Sequence, residues 1–357
     1  MEGSGLRGCD EKLAAVPTAW LYIQLATEYT AGRVPMQYTT LSQTGPRVSR
    51  ACLGTMTFGS QADRSVAARI LDCAIDAGIN FVDTANVYAK SASETILGAA
   101  LKGRRDKVVL ASKVGIAVGD GPEDSGLSRA ALLKAIDDSL RRLQTDYLDI
   151  YYLHQPDYKV PIQETLETME GLVRAGKVRF PATSNYSSWQ VCEMLWQADK
   201  NGYTPAAIAQ PMYNLLARGI EQEFLPMARR SGVATVVYNP LAGGLLTGKH
   251  AGRRPAPGSR FVDNQLYRNR YWHPALLEAV DRLTEIAGQT QRTLVSLALN
   301  WLLHHTAADC ILLGASRLEQ LEQNLKAMEE GPLPAEAVQA CDQVWAQLRG
   351  VTPQYNR

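Results

Sequence analysis

The sequence shows no excess of charge of either sign: 37 Lys and Arg stand against 36 Asp and Glu in 357 residues. That balance removes any general electrostatic argument for nucleic acid or an acidic membrane surface as partner. A polyanionic ligand would have to be held by a local cluster. Cysteine pattern is lacking too: Cys9, Cys52, Cys73, Cys192, Cys310 and Cys341 follow no short spacing and form no CxxC. This excludes a disulfide framework and a zinc finger, and fits a reducing, cytoplasmic setting. No apolar run approaches the length of a membrane span. Residues 13–26 come nearest to a signal peptide, but they lack a basic start and are interrupted by Pro17 and Gln24. Metal-ligand spacing is missing as well, since His304 and His305 would point about 100° apart on a helix. Internal repeats beyond a strand–helix unit and low-complexity tracts are also absent.

What is present is organised. Residues 1–35 have no clear period and read as a separate, poorly ordered extension. From Met36 the texture changes: QYTTLSQTGPRVSRACLG alternates, breaks at Gly45-Pro46 and alternates again, the pattern of a β-hairpin. Thereafter short apolar runs alternate with helical patterns. The runs are RVSRACLG, INFVDTA, VVLASKV, LDIYYLH, VRFPATS, AIAQPMYN, ATVVYNP and CILLGAS. Asp63, Ser128 and Ser187 are helix-start residues ahead of apolar stripes, and Gly78 and Gly176 are stop signals. Eight successive units predict parallel strands with helical crossovers, and residues 36–357 read as one (β/α)8 TIM barrel. An open doubly wound sheet would need GxGxxG after its first strand, where this chain has LGTMTFG. Helical stretches near 274–288 and 334–348 are two additions outside the barrel count.

The working face of such a barrel lies at the carboxyl ends of its strands. Asp83 ends the second run, Tyr88 follows in its loop, Lys113 ends the third and His154 the fourth. Each has an ordinary reading. A strand-end aspartate commonly caps a turn, Tyr88 suits a half-exposed surface, Lys113 can reach solvent, and a lone histidine is more often a core imidazole. Four ionisable groups on three successive strand ends, about 4.8 Å apart from strand to strand, are harder to dismiss. An ammonium beside a phenol favours the phenolate and lowers its pKa, a carboxylate can fix the ammonium, and an imidazole can orient a carbonyl oxygen. The group suits proton delivery to a carbonyl as hydride reaches its carbon.

DTANVY, ASKVG, YYLHQPD, KVRFPATSNYSSW, AQPMYN, YNPLAGGLLTGK and ILLGASRLEQLEQNL, in this order, resemble the aldo-keto reductase superfamily from about residue 36 to the closing TPQYNR. YNPLAGGLLTGK and LEQLEQN look most like the branch of aflatoxin-aldehyde reductases and potassium-channel β subunits. The resemblance implies NADPH bound along the rim without a Rossmann fold, and a small-molecule carbonyl as substrate. It places the catalytic roles on Asp83, Tyr88, Lys113 and His154. Ser184 and Asn185, with Gln210, would hold the nicotinamide carboxamide, and Tyr238 would stack on its ring. Thr55 and Met56 match positions near the ribose and nicotinamide. The branch also implies a second reading, an NADP(H)-binding regulatory subunit. Monomer and homo-oligomer both stay open.

The loop 243-GGLLTGKH-250 reproduces GxxxxGK of a nucleotide P-loop, yet His250 stands where that motif needs a Mg²⁺-binding hydroxyl. After the seventh strand, the backbone N–H groups around Gly243 and the Lys249 side chain can hold a pyrophosphate, with Asn239, Pro240 and Leu241 leading in. A flexible surface loop is the ordinary alternative. After the eighth strand, Gly314, Ser316 and Arg317 open a helix, a place for an adenosine 2′-phosphate, which argues for NADP over NAD. The resemblance puts Gln320, Gln323 and Asn324 beside the adenine, and Arg260 in PGSRF reads as a second cation over the phosphates. Capped-helix polar residues and a charged loop are the ordinary readings. Two departures matter. Pro181 and Ala182 stand where the family has an apolar residue and glycine, bearing on the placement of Ser184 and Asn185. Asn86 replaces the usual second aspartate of the tyrosine loop, with little consequence expected.

Overall fold

A computed structural model describes residues 35–250 and 252–351. The extension over residues 1–34 and the closing TPQYNR lie outside the described residues. The first element is the hairpin read from the sequence, β1 (Tyr38–Thr40) and β2 (Arg47–Ser49), paired antiparallel through Thr39 and Val48.

Eight strands follow: β3 (Ala51–Gly54), β4 (Phe81–Asp83), β5 (Val109–Val114), β6 (Leu148–Leu153), β7 (Val178–Ser184), β8 (Ile208–Gln210), β9 (Ala234–Val237) and β10 (Cys310–Gly314). They pair in parallel and in chain order, and β10 returns to β3 to close the barrel. The crossovers are α1 (Arg64–Asp76), α2 (Ala92–Ala100), α3 (Arg129–Leu143), α4 (Ile162–Arg174), α5 (Ser188–Asn201) and α6 (Phe224–Ser231). Between β9 and β10 the chain makes α7 (Arg260–Asp263), α8 (Gln265–Tyr271), α9 (Pro274–Gln289) and α10 (Leu294–His305). It ends with α11 (Leu318–Met328) and α12 (Ala335–Arg349). The two additions read from the sequence are α9 and α12.

Local chemistry explains these boundaries. Asp63 caps α1 by accepting from the Val66 N–H at 2.9 Å, and Ser128 caps α3 from Ala131. Ser187 and Gln190 form a reciprocal capping box on α5. Two cores result. The larger lies between barrel and helices; the smaller fills the barrel interior with Phe81, Ile150, Tyr152, Ala182, Val236 and Cys310 among others. A closed sheet with a filled interior leaves the strand ends as the place where polar side chains can converge.

Pro181 does not break β7. The strand runs unbroken through it, pairing Pro181 with Tyr151, and β8 joins only from Thr183 onward. The missing donor therefore falls where β8 makes no ladder. Among the described residues no helix is long and apolar enough to cross a membrane.

Candidate active site

Asp83 and Lys113 end up buried at the top of the barrel because β4 and β5 carry them there, at 1% and 0% exposure. A charge at such depth must be paired and hydrogen-bonded. The Lys113 ammonium donates to Asp83 Oδ1, to the Thr84 carbonyl at 2.9 Å and to the Tyr88 hydroxyl at 3.3 Å. Gln210 Nε2 donates to the other Asp83 oxygen at 2.9 Å. Every polar atom of the ion pair is therefore occupied. The Tyr88 ring stands edge-on to the His154 imidazole, centroids 6.0 Å apart and planes at 81°. The four groups read from three strand ends thus meet in one place.

Their electrostatics differ from the sequence reading at one point. Burial pushes the Tyr88 phenol up; the Lys113 cation pulls it down, and Asp83 adds to the push, so the net direction is upward. A lysine beside the phenol, taken alone, predicts a lowered value. The desolvated cleft outweighs the cation. Burial works to strip the proton from Lys113, but Asp83 and Tyr88 overturn this and its pKa stands above the ordinary value. Burial likewise raises Asp83 against the lysine's opposing pull. His154 is pushed down to about 3, by burial first and by Lys113 second, so its ring is neutral at ordinary pH. Its Nδ1 is buried without a protein partner.

Beside this group lies a second polar chain. Ser184 Oγ donates to the Gln210 carbonyl at 2.9 Å, and Asn185 Nδ2 donates to the His154 carbonyl at 2.8 Å. The Tyr238 hydroxyl donates to Asn185 Oδ1 at 2.6 Å. Ser184, Asn185, Gln210 and Tyr238 therefore gather in one hydrogen-bonded chain. Thr55 is buried, its hydroxyl on the Asp83 carbonyl at 3.0 Å, and Met56 is half-buried beside it.

Three cations form a second cluster further along the rim. Lys249 has its pKa lowered, by burial first and then by the charges of Arg260 and Arg317, so the three lie close enough to repel. None has a carboxylate partner among the described residues. The backbone around them is open: Gly243 and Gly244 both have positive φ, Lys249 folds over Gly244, and Arg260 lies at Gly314. Such a nest with cations that lack a carboxylate partner could hold an anion. Ser316 and Gln320 bond one another at the head of α11, where Arg317 and Gln323 are exposed and Asn324 is buried. Asn239 has a left-handed φ of 59° and a buried, unpaired Nδ2. Pro240 is buried and Leu241 half-buried where this loop leaves β9.

Sequence reading missed α7 and α8. Tyr267 lies against Gly243, its hydroxyl accepts from Arg260 at 2.9 Å, and Arg270 reaches the Tyr238 hydroxyl. Helices of four and seven residues are too short to leave a periodic signal; Asn264 as a cap was the available clue. Among the described residues no group of three or more His, Cys, Asp or Glu could hold a metal.

Comparison with known proteins identifies the family. The pattern of the Aldo/keto reductase family matches residues 50–346. Aflatoxin B1 aldehyde reductase member 2 of Rattus norvegicus is 38% identical over 323 residues, 85% of this chain and 87% of that protein. A probable voltage-gated potassium channel subunit beta of Arabidopsis thaliana is 36% identical over 305 residues, 84% of this chain and 93% of that protein. With a match of this extent over a closed eight-stranded barrel, the chain belongs to the aldo/keto reductase family.

Proposed function

We propose that the protein is an NADPH-dependent oxidoreductase that reduces a small aldehyde or ketone to the alcohol, with Tyr88 as proton donor. The observation that carries this reading is the Lys113 ammonium, bonded to Asp83 and 3.3 Å from the Tyr88 hydroxyl. NADPH, when bound, supplies the hydride. The residues present fit it: Lys249, Arg260 and Arg317 are unpaired cations for its phosphates, and Ser184, Asn185 and the Gln210 carbonyl suit a carboxamide. Tyr238 offers a ring face at the same place, half-buried.

The chain's own groups then divide the work. Burial keeps the phenol protonated at rest, which a proton donor requires. As charge grows on the substrate oxygen, Tyr88 gives up its proton and the phenolate is left beside Lys113, which stabilises it. Asp83 holds Lys113 in place, and solvent returns the proton to Tyr88. The neutral His154 ring directs a hydrogen bond to the substrate oxygen.

The Arabidopsis relative supports a second reading, a nucleotide-binding regulatory subunit that uses the same cleft without turnover. One experiment separates them. NADPH consumption is followed by absorbance with a panel of small aldehydes and ketones, beside tryptophan quenching by NADPH. Wild type should turn over, Tyr88→Phe should lose about 100-fold or more while still binding, and Arg317→Glu should weaken NADPH far more than NADH. Binding without turnover above Tyr88→Phe favours the regulatory reading; equal losses for both nucleotides remove the 2′-phosphate assignment; no binding removes both readings.

A further inference from the structure

Ser93 lies in the first turn of α2, buried, and its hydroxyl does nothing for that helix. A serine at a helix start ordinarily caps it by accepting from a backbone N–H. Here Ser93 Oγ turns away from α2. It donates to the Thr55 carbonyl at 2.8 Å and lies 3.0 Å from the hydroxyls of both Thr84 and Thr55. The protons can be assigned one by one. Ser93 gives its own to the Thr55 carbonyl and Thr55 gives its own to the Asp83 carbonyl at 3.0 Å, which leaves Thr84 to donate to Ser93. All three residues are at 0% exposure, so a partner lost here is not replaced by bulk solvent.

These hydroxyls adjoin the ion pair. The Thr84 carbonyl receives the Lys113 ammonium, and the Asp83 carbonyl receives both the N–H and the hydroxyl of Thr55. The loop that runs from Thr84 to Ser93 carries Tyr88, and its backbone is unfavourable in itself. Ala89, Lys90 and Ser91 take left-handed φ values of 49°, 53° and 69° in a row, which a Cβ disfavours at each position. Such a turn persists where its surroundings hold it. The Ser91 hydroxyl donates to the Asn86 carbonyl at 2.8 Å, and the Ser93 N–H donates to the Tyr88 carbonyl at 3.4 Å. The Ser93 hydroxyl then joins the end of the loop to its start at Thr84.

We propose that Ser93 is a positioning residue for Tyr88: its hydroxyl closes the strained loop onto the ends of β3 and β4, which keeps the phenol at the Lys113 ammonium. The consequence for turnover rests on the reductase reading, whereas the consequence for the place of the phenol does not. Ser49 supplies a matched comparison. It is also at 0% exposure, donates to the Ala51 carbonyl at 2.6 Å and accepts from the Asn80 N–H at 3.2 Å, but it stands ahead of β3, at the opposite end of the barrel from the rim.

The test uses the full chain, with tyrosine labelled at its ζ carbon and the Tyr88 resonance assigned by its loss in Tyr88→Phe. Ser93→Ala and Ser49→Ala should both lose stability in urea. Only Ser93→Ala should displace the Tyr88 resonance, whose shift reports the hydrogen bonding of the phenol. With NADPH and a small aldehyde, Ser93→Ala should lose roughly tenfold or more in kcat. Its KM, and its NADPH affinity by tryptophan quenching, should stay within about twofold. Ser49→Ala should keep the wild-type kcat. Thr84→Val removes the other end of the same bond at nearly constant shape and should repeat the Ser93→Ala result, and the double variant should lose no more than either single one. An unmoved Tyr88 resonance in Ser93→Ala, or in Thr84→Val should Ser93→Ala fail to fold, overturns the proposal. An equal displacement or an equal loss of kcat in Ser49→Ala overturns it too. Absence of turnover in the wild type removes the reductase reading, and the resonance still decides whether Ser93 positions Tyr88.

Discussion

Lys113 and Asp83 are each other's reason for being charged. With both side chains at 1% exposure or less, either one alone is an uncompensated buried ion. Lys113→Met should therefore cost about 3–5 kcal/mol of stability, since only Gln210 would still serve the carboxylate. The double variant Lys113→Met/Asp83→Asn removes both charges and should recover part of that loss, because the two sites are in contact and their effects do not add. Urea unfolding of the two singles and the double measures this; strictly additive losses would mean that the pair is not coupled. At this scale the sequence is readable, for a physical reason. Apolar runs that end on Asp83, Lys113 and His154 break the pattern of their own strands, and a residue that breaks a local pattern stands out. The direction of the Tyr88 pKa was not readable, because desolvation depends on how many neighbours close over the ring. Nor was the second bond of Asp83, which comes from Gln210, 127 positions away.

Among the elements, α7 and α8 are the part of the fold that sequence pattern did not disclose, and they rest on the glycine loop. A Cβ built on Gly243 would stand 2.5 Å from the Tyr267 ring, and the residue already has a φ of 68°. Nothing but glycine lets Tyr267 lie this close, and Tyr267 in turn receives the Arg260 hydrogen bond. Gly248 makes the comparison clean: its φ is 78°, but a Cβ there meets nothing within 4 Å. Gly248→Ala should show only the backbone penalty, about 1 kcal/mol. Gly243→Ala adds overpacking of about 1–3 kcal/mol, and by shifting Tyr267 and Arg260 it should raise the NADPH dissociation constant well beyond the Gly248→Ala value. Equal effects on nucleotide binding would detach α7 and α8 from the Lys249, Arg260 and Arg317 cluster. The strands were legible for the opposite reason. Each βα unit repeats one apolar run, one cap and one stripe, whereas this pair is held by tertiary contacts from distant segments, among them Tyr267 on Gly243, Phe261 on His250 and Tyr271 on Asn214. Pro181 illustrates the limit: the rule against proline in a closed sheet is sound, but where β8 begins to pair is not written in β7.

For the whole molecule the closed barrel turns a site property into a stability property. His154 titrates near 6.5 when the chain is unfolded and is pushed down to about 3 in the fold, by burial first and Lys113 second. A folded value below the unfolded one means that the folded state binds fewer protons through this window. Stability is then fully present above about pH 6.5 and is lost as pH falls toward about 3. Between pH 7 and pH 5 the loss from His154 alone is about 2 kcal/mol. His304, pushed down to about 4 by burial and then by Arg50, acts in the same direction. Asp83 acts in the other, because burial raises its pKa and favours its protonated form in the fold. The raw pH profile of the protein therefore mixes opposing groups, and the informative quantity is the difference between wild type and His154→Gln. Urea unfolding at pH 7 and pH 5 should show wild type losing about 2 kcal/mol more than the variant over that interval, and an identical loss in both proteins would mean that the imidazole is not held neutral by the barrel. The same low pKa makes a kinetic statement: between pH 5 and pH 7 the protonation of His154 in the folded enzyme hardly changes. Any acid-side fall in kcat/KM within that interval must then come from another group, and it should persist unchanged in wild type after the stability difference is accounted for.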